Sequence, residues 1–191
     1  MEYAIYIVLA FIVAFTATPV AKKIAVRLGA VDVPRDSRRM HKKPIARLGG
    51  LAIIAGFFAV IMFNIISTKL GAPFEFVANK KLIGLLAGVV IVAVTGAIDD
   101  IKPLNAKLKF LLQLVAATVV VVSGTRIIWF TNPFSEIGMS VLPLYLSYPI
   151  TIFWIVLITN SINLIDGLDG LAAGVSSISS LSLFFVTVMP G

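Results

Sequence analysis

Two groups of polar residues interrupt an otherwise apolar sequence at spacings suited to chemistry. In the stretch from Asn160 to Gly170, the side chains of Asn160, Asn163, Asp166 and Asp169 recur at every third position. On a continuous helix, steps of three drift by about 60°, so the four fan across one side. Gly167 and Gly170 are expected to interrupt the helix and let the backbone approach a ligand. The plainer reading is an interfacial turn, with Asp169 capping the helix that follows. Capping takes one such residue rather than four, and polar groups ending an apolar run are costly at membrane depth, which favours function. The second group is Asp99-Asp100, directly after Thr95-Gly96-Ala97-Ile98. Adjacent carboxylates at a helix C-terminus repel each other and face the negative end of the helix dipole. A cation relieves both costs, and Mg²⁺ is commonly held by one or two carboxylates together with substrate phosphates. A solvated acidic pair closing a span is the simpler alternative.

Basic residues accompany these acids. The stretch from Val31 to Gly50 carries Arg35, Arg38, Arg39, His41, Lys42, Lys43 and Arg47 before Gly49-Gly50. Such side chains suit the phosphates of a nucleotide or a lipid head, although lysine and arginine here can also serve topology alone. His41 and Arg47 are less easily explained by topology, and Gly49-Gly50 permits close helix packing or close approach of a ligand. Lys109 and Gln113 lie about one helical turn apart, and both could face a site below Asp99. Snorkelling of Lys109 and an interhelical hydrogen bond from Gln113 are the competing readings.

The elements that must position these groups follow from composition. Of 191 residues, 59% are hydrophobic and 13% charged, with a mean hydropathy of +1.04, so a water-soluble fold would lack polar surface to cover itself. The formal charge of +7 lies between apolar runs, a pattern of membrane topology and anionic lipid or phosphate rather than of nucleic acid. No cysteine and one histidine exclude disulfides, thiol chemistry and a His-based metal site. Six runs approach the ~20 apolar residues of a spanning helix: 3–21, 48–67, 82–98, 108–123, 148–162 and 171–189, the fourth and fifth being short. They are continuously apolar rather than alternating, which argues against a membrane barrel. The expected fold is therefore an all-α, polytopic integral membrane protein forming a single transmembrane domain over 1–191. The first run lacks a basic leader and a cleavage pattern, so it reads as a retained helix. Twelve lysines and arginines fall in the first and third loops and four on the other side. The N-terminus is therefore expected outside, and the loops bearing the acids in the cytoplasm.

In this order along the chain, the motifs resemble those of the polyprenyl-phosphate N-acetylhexosamine-1-phosphate transferases. The resemblance rests on the Pro34–Gly50 loop, Gly96-x-x-Asp99-Asp100, Lys109-x-x-x-Gln113 and the stretch from Asn160 to Gly170. The first loop is more similar to the branch using UDP-N-acetylglucosamine than to the muramoyl-pentapeptide branch. The resemblance implies all-helical proteins of about ten spans, each of bilayer length. It also implies Mg²⁺ (or Mn²⁺) as cofactor, undecaprenyl phosphate as acceptor, and a multi-pass location in the cytoplasmic membrane. Asp99 and Asp100 would be catalytic carboxylates, with Asp99 preferred for activating the lipid phosphate. Asp166, Asp169 and Asp100 would serve the metal. Asn160, Asn163, His41, Lys43, Arg47 and Lys109 would bind substrate or nucleotide. The implied partners are a UDP-sugar, the polyprenyl phosphate, the bilayer and a second copy in a homodimer, with no nucleic acid.

The chain departs from the family in stopping at Gly191, without the later Gly-Asp metal motif and His-rich loop. It is accordingly expected to be the N-terminal portion of a longer enzyme, inactive alone. The implied reaction delivers GlcNAc-1-phosphate from the UDP-sugar to the lipid phosphate, releases UMP and starts an envelope polymer such as teichoic acid or O-antigen. Phosphoryl transfer of this kind depends on charge neutralisation and alignment, and a covalent aspartyl-phosphate is the rival route. The alternatives are the muramoyl-pentapeptide donor, an ion-coupled transporter, and a non-catalytic fragment that binds lipid or a partner.

Overall fold

The computed structural model describes residues 2–32, 44–71, 77–134, 138–168 and 170–188. Among them are six α-helices: α1 (Glu2–Leu28), α2 (Gly50–Lys69), α3 (Lys80–Ile101), α4 (Ala106–Val122), α5 (Leu144–Ile165) and α6 (Leu171–Val188). Two short antiparallel ribbons, β1 (Val31–Asp32) with β2 (Ile45–Ala46) and β3 (Trp129–Thr131) with β4 (Met139–Val141), occupy loops. All the helices but α4 have the length and composition to cross a membrane, and α4, at 17 residues, is shorter than the other five. The protein is all-helical and polytopic, as its composition requires. It divides into two compact units, Met1–Arg126 and Ile127–Gly191.

Small residues build the first unit. A Cβ at Gly56 of α2 would lie 2.6 Å from the carbonyl oxygen of Ala10 on α1, so only glycine lets these backbones meet. This close approach replaces the hydrophobic drive that lipid cannot supply. Further along the same seam, the Tyr6 hydroxyl donates to Asn64 Oδ1 at 2.8 Å, and Asn64 is buried. On the α3–α4 seam a Cβ at Gly84 would collide with Ser123, and one at Gly88 with Val120. The buried residues of α4 are Gln113, Ala116, Ala117, Val120 and Val121, spaced as one helical stripe. Lys109 precedes Gln113 by four and extends that stripe. On α3 the buried Gly84, Gly88 and Thr95 lead in the same way to Asp99.

Helix ends turn these seams into a site. α1 runs seven residues past the apolar run, through Lys22, Lys23 and Arg27, because Ala21 and Ala25 on its inner face are buried. It ends in a nested pair of bonds, the Ala30 N–H donating to the Ala25 carbonyl and the Gly29 N–H to that of Val26, with Gly29 at φ +73°. That turn leads into β1. Ala25, Ala30 and Leu48 then form a small core against which Ala46, Leu51 and Ala97 pack. Ala97 lies on α3 two residues before Asp99, so this core brings the base of the first loop to the end of α3. In the second unit α5 continues unbroken through Asn160 and Asn163. The break falls at Asp166, with Gly170 at φ +78°.

Candidate active site

Asp99 sits where α3 stops, and the stop is local chemistry. Lys102 is extended because it precedes Pro103. Asn105 then caps α4, its Oδ1 accepting from the Lys107 N–H at 3.0 Å. The tight turn aims the Leu104 N–H at Asp99 Oδ1, at 2.9 Å. From α4, the Lys109 ammonium donates to Asp99 Oδ2 at 2.8 Å. Each oxygen of this carboxylate therefore has a donor, one on a fixed backbone and one carrying full positive charge. Arg47 acts on the same carboxylate through space, and its guanidinium pairs with Asp32 at 3.3 Å across the β1–β2 ribbon. Asp100 follows on α3 about 100° further round and is half-buried. Gln113 is buried one turn beyond Lys109.

The second unit presents its polar residues differently. Asn160 is half-buried, and its amide donates back to the Val156 carbonyl at 2.8 Å. Asn163 and Asp166 are exposed on the last turn of α5 and at its end. The Asp166 N–H closes the helix on the Ile162 carbonyl, at 3.1 Å. Its exposed carboxylate is the right donor chemistry for a hard cation. Among the described residues no three acids or histidines gather into a metal cage. A hard cation at Asp166 would need further oxygen ligands beyond this one carboxylate.

Of the expected site residues, Asp99 and Lys109 form an ion pair, Arg47 pairs with Asp32, and Asp100 follows Asp99 along α3. Asn160, Asn163 and Asp166 lie along the end of α5. His41, Lys43 and Asp169 fall outside the described residues. Sequence reasoning passed over Asp32, the partner of Arg47, and the Leu104 amide. A carboxylate at the foot of a basic loop was the available signal for the first. A backbone donor leaves no signal in sequence.

Residues 82–191 match the profile of glycosyl transferase family 4. The chain belongs to this family. Its similarity to curated family 4 proteins extends over most of its own length. It is 41% identical over 175 residues to a probable undecaprenyl-phosphate N-acetylglucosaminyl 1-phosphate transferase of Bacillus subtilis, covering 87% of this chain and 44% of that protein. It is 35% identical over 167 residues to the decaprenyl-phosphate N-acetylglucosaminephosphotransferase of Mycobacterium tuberculosis, covering 87% and 41%. To the undecaprenyl-phosphate alpha-N-acetylglucosaminyl 1-phosphate transferase of Yersinia pestis it is 30% identical over 151 residues, covering 78% and 37%. The chain thus spans less than half the length of these family 4 relatives. No solved structure matches it.

Proposed function

We propose that the enzyme containing this chain transfers GlcNAc-1-phosphate from UDP-N-acetylglucosamine to undecaprenyl phosphate in the cytoplasmic membrane, starting an envelope polysaccharide. Relatives named for N-acetylglucosamine-1-phosphate transfer to a polyprenyl phosphate support the donated group and the acceptor. The observation that carries the site is the Asp99–Lys109 pair at the end of two apolar helices. An oxygen of the lipid phosphate attacks the sugar-bearing phosphorus, the bond to the UMP oxygen breaks, and UMP departs with the electron pair.

In this reading Asp99 and Asp100 line the pocket for the lipid phosphate. Asp99 holds the Lys109 ammonium at the site's edge, a fixed positive charge for a reaction limited by charge neutralisation. Arg47, His41 and Lys43 bind phosphate or nucleotide, and Asn160 and Asn163 bind the nucleotide. Mg²⁺ is proposed at Asp166 and Asp169, and when bound it would offset charge on the leaving diphosphate. The loops bearing these residues face the cytoplasm and the N-terminus lies outside, consistent with the distribution of positive residues. A soluble donor and a lipid acceptor can both reach a site at that boundary.

The test is to express the complete reading frame in membranes, supply undecaprenyl phosphate and Mg²⁺, and follow radiolabel from UDP-N-acetylglucosamine into the lipid extract. Lipid label equal to UMP released, and abolished by chelation, is the expected result. Label only from UDP-muramoyl-pentapeptide would reassign the donor. No transfer from either would overturn the reading and turn attention to ion-coupled transport.

A further inference from the structure

The β3–β4 hairpin is not used by the proposed chemistry, and its surface is unusual for a loop. The register pairs Trp129 with Val141 and Thr131 with Met139, and strand alternation puts these four on one face. Trp129, Met139 and Val141 are 59%, 55% and 56% exposed. The other face carries Phe130 and Ser140, and the Asn132 amide donates to the Ser140 hydroxyl at 2.8 Å. Among the described residues the Trp129–Met139–Val141 face is apolar and exposed, while the other face sets a 45% exposed Phe130 beside the half-buried Ser140. A two-stranded hairpin alone is marginal in water and needs a surface to pack on.

The attachment of the hairpin indicates which surface. The Ile127 N–H donates to Thr151 Oγ1 at 2.9 Å, and the Ser147 hydroxyl donates to the Ile127 carbonyl. Thr151 is seven residues into α5, about 10 Å along it. The root of the hairpin is therefore fixed beside the first turns of a membrane-spanning helix rather than free to extend into water. Leu144 and Tyr145, at the start of that helix, are also exposed. Between Arg126 and Asp166 the sequence holds one charge, Glu136. The outer edges of a two-stranded ribbon carry unpaired backbone groups, which excludes it from the hydrocarbon core. An apolar face combined with polar edges matches the headgroup boundary, where tryptophan and tyrosine concentrate.

We propose that the β3–β4 hairpin is a membrane-interface anchor whose Trp129–Met139–Val141 face lies in the headgroup–acyl boundary of the bilayer. The proposal rests on the membrane-spanning character of α5 and is independent of the transferase reading. Its test uses the full-length protein in phosphatidylcholine–phosphatidylglycerol nanodiscs, where both membrane faces are open to reagents. Trp154→Phe makes Trp129 the reporter within this chain, and any tryptophan elsewhere in the protein is changed likewise. We expect blue-shifted Trp129 emission, at least three-fold protection from iodide, and strong quenching by lipids brominated near the carbonyl end of the acyl chain. Red-shifted emission with full iodide access would overturn the proposal. Protection from iodide without bromolipid quenching would also overturn it, because the face would then be covered by protein such as a second copy. A second measurement uses the absence of cysteine from this chain. Ser140→Cys should react with a water-soluble maleimide several-fold faster than Met139→Cys, and equal or reversed rates would overturn the proposal.

Discussion

The α3–α4 turn and the α5–α6 junction each place an aspartate at the C-terminal end of an apolar helix, and they treat it differently. Asp99 is answered from within the fold, with an ammonium on one oxygen and a backbone amide on the other. Pro103 and Asn105 fix the turn that supplies the amide. Asp166 contributes its backbone N–H to the helix and leaves its carboxylate exposed. The same residue type at the same kind of helix end can thus be held within the fold or left exposed to solvent. For Asp99 a facing helix brings a cation into reach, through the α4 stripe; among the described residues no ion pair is seen at Asp166.

The largest effect expected from this contrast is on activity. Asp166→Asn in the complete enzyme should lower transfer by about 10²–10³-fold, the range for removing one charge-stabilising group, with the melting temperature unchanged. Radiolabel transfer and thermal unfolding measured on one preparation would check both halves, and retained transfer would leave Asp166 an ordinary helix-end residue. On the Asp99 side, the seam itself should be sensitive. Gly88→Leu drives a side chain into Val120 and Ala116 and should cost about 1–3 kcal/mol of stability. Gly174→Leu on α6, where a Cβ meets nothing within 4 Å, should leave stability nearly unchanged. Denaturation of the two variants in the same detergent compares them directly.

A smaller effect isolates the ion pair. A double-mutant cycle between Asp99→Asn and Lys109→Met should give a coupling of about 1 kcal/mol, as for a partly exposed pair. A coupling near zero would mean that the pair adds nothing to the fold. Smallest of all, Arg47→Gln should cost about 0–1 kcal/mol through loss of its bond to Asp32. If Arg47 also meets the donor's phosphates, KM for the UDP-sugar should rise while kcat holds. An unchanged KM would confine Arg47 to the ribbon.

The sequence made the helices legible because lipid demands long apolar runs, and it made their ends less so. Hydropathy stops at Lys22, yet α1 goes on to Leu28, since hydrogen bonding and the buried Ala25 do not depend on the charges beside them. The expectation that Lys109 faces the neighbourhood of Asp99 came from a one-turn spacing, and the facing stripes of α3 and α4 produce the contact. The bond from Leu104 could not be read, because a backbone amide looks the same at every residue. The β3–β4 hairpin had a signal in Asn132-Pro133 and Gly138 between two short β-prone runs. The long apolar segments on either side mask so short a pattern in the hydropathy.

The shortness of α4 has a consequence for the lipid around it. Seventeen residues rise about 26 Å, against a hydrocarbon core of about 30 Å. Where α4 meets lipid, either the acyl chains compress or the helix end is drawn inward, at a modest cost per ångström of mismatch. The protein should therefore prefer a thinner bilayer. Reconstituted in phosphatidylcholines of graded chain length, its unfolding temperature should peak at shorter chains than the 22-residue α3 alone would favour, and a peak at the longest chains would show that α4 does not set the match.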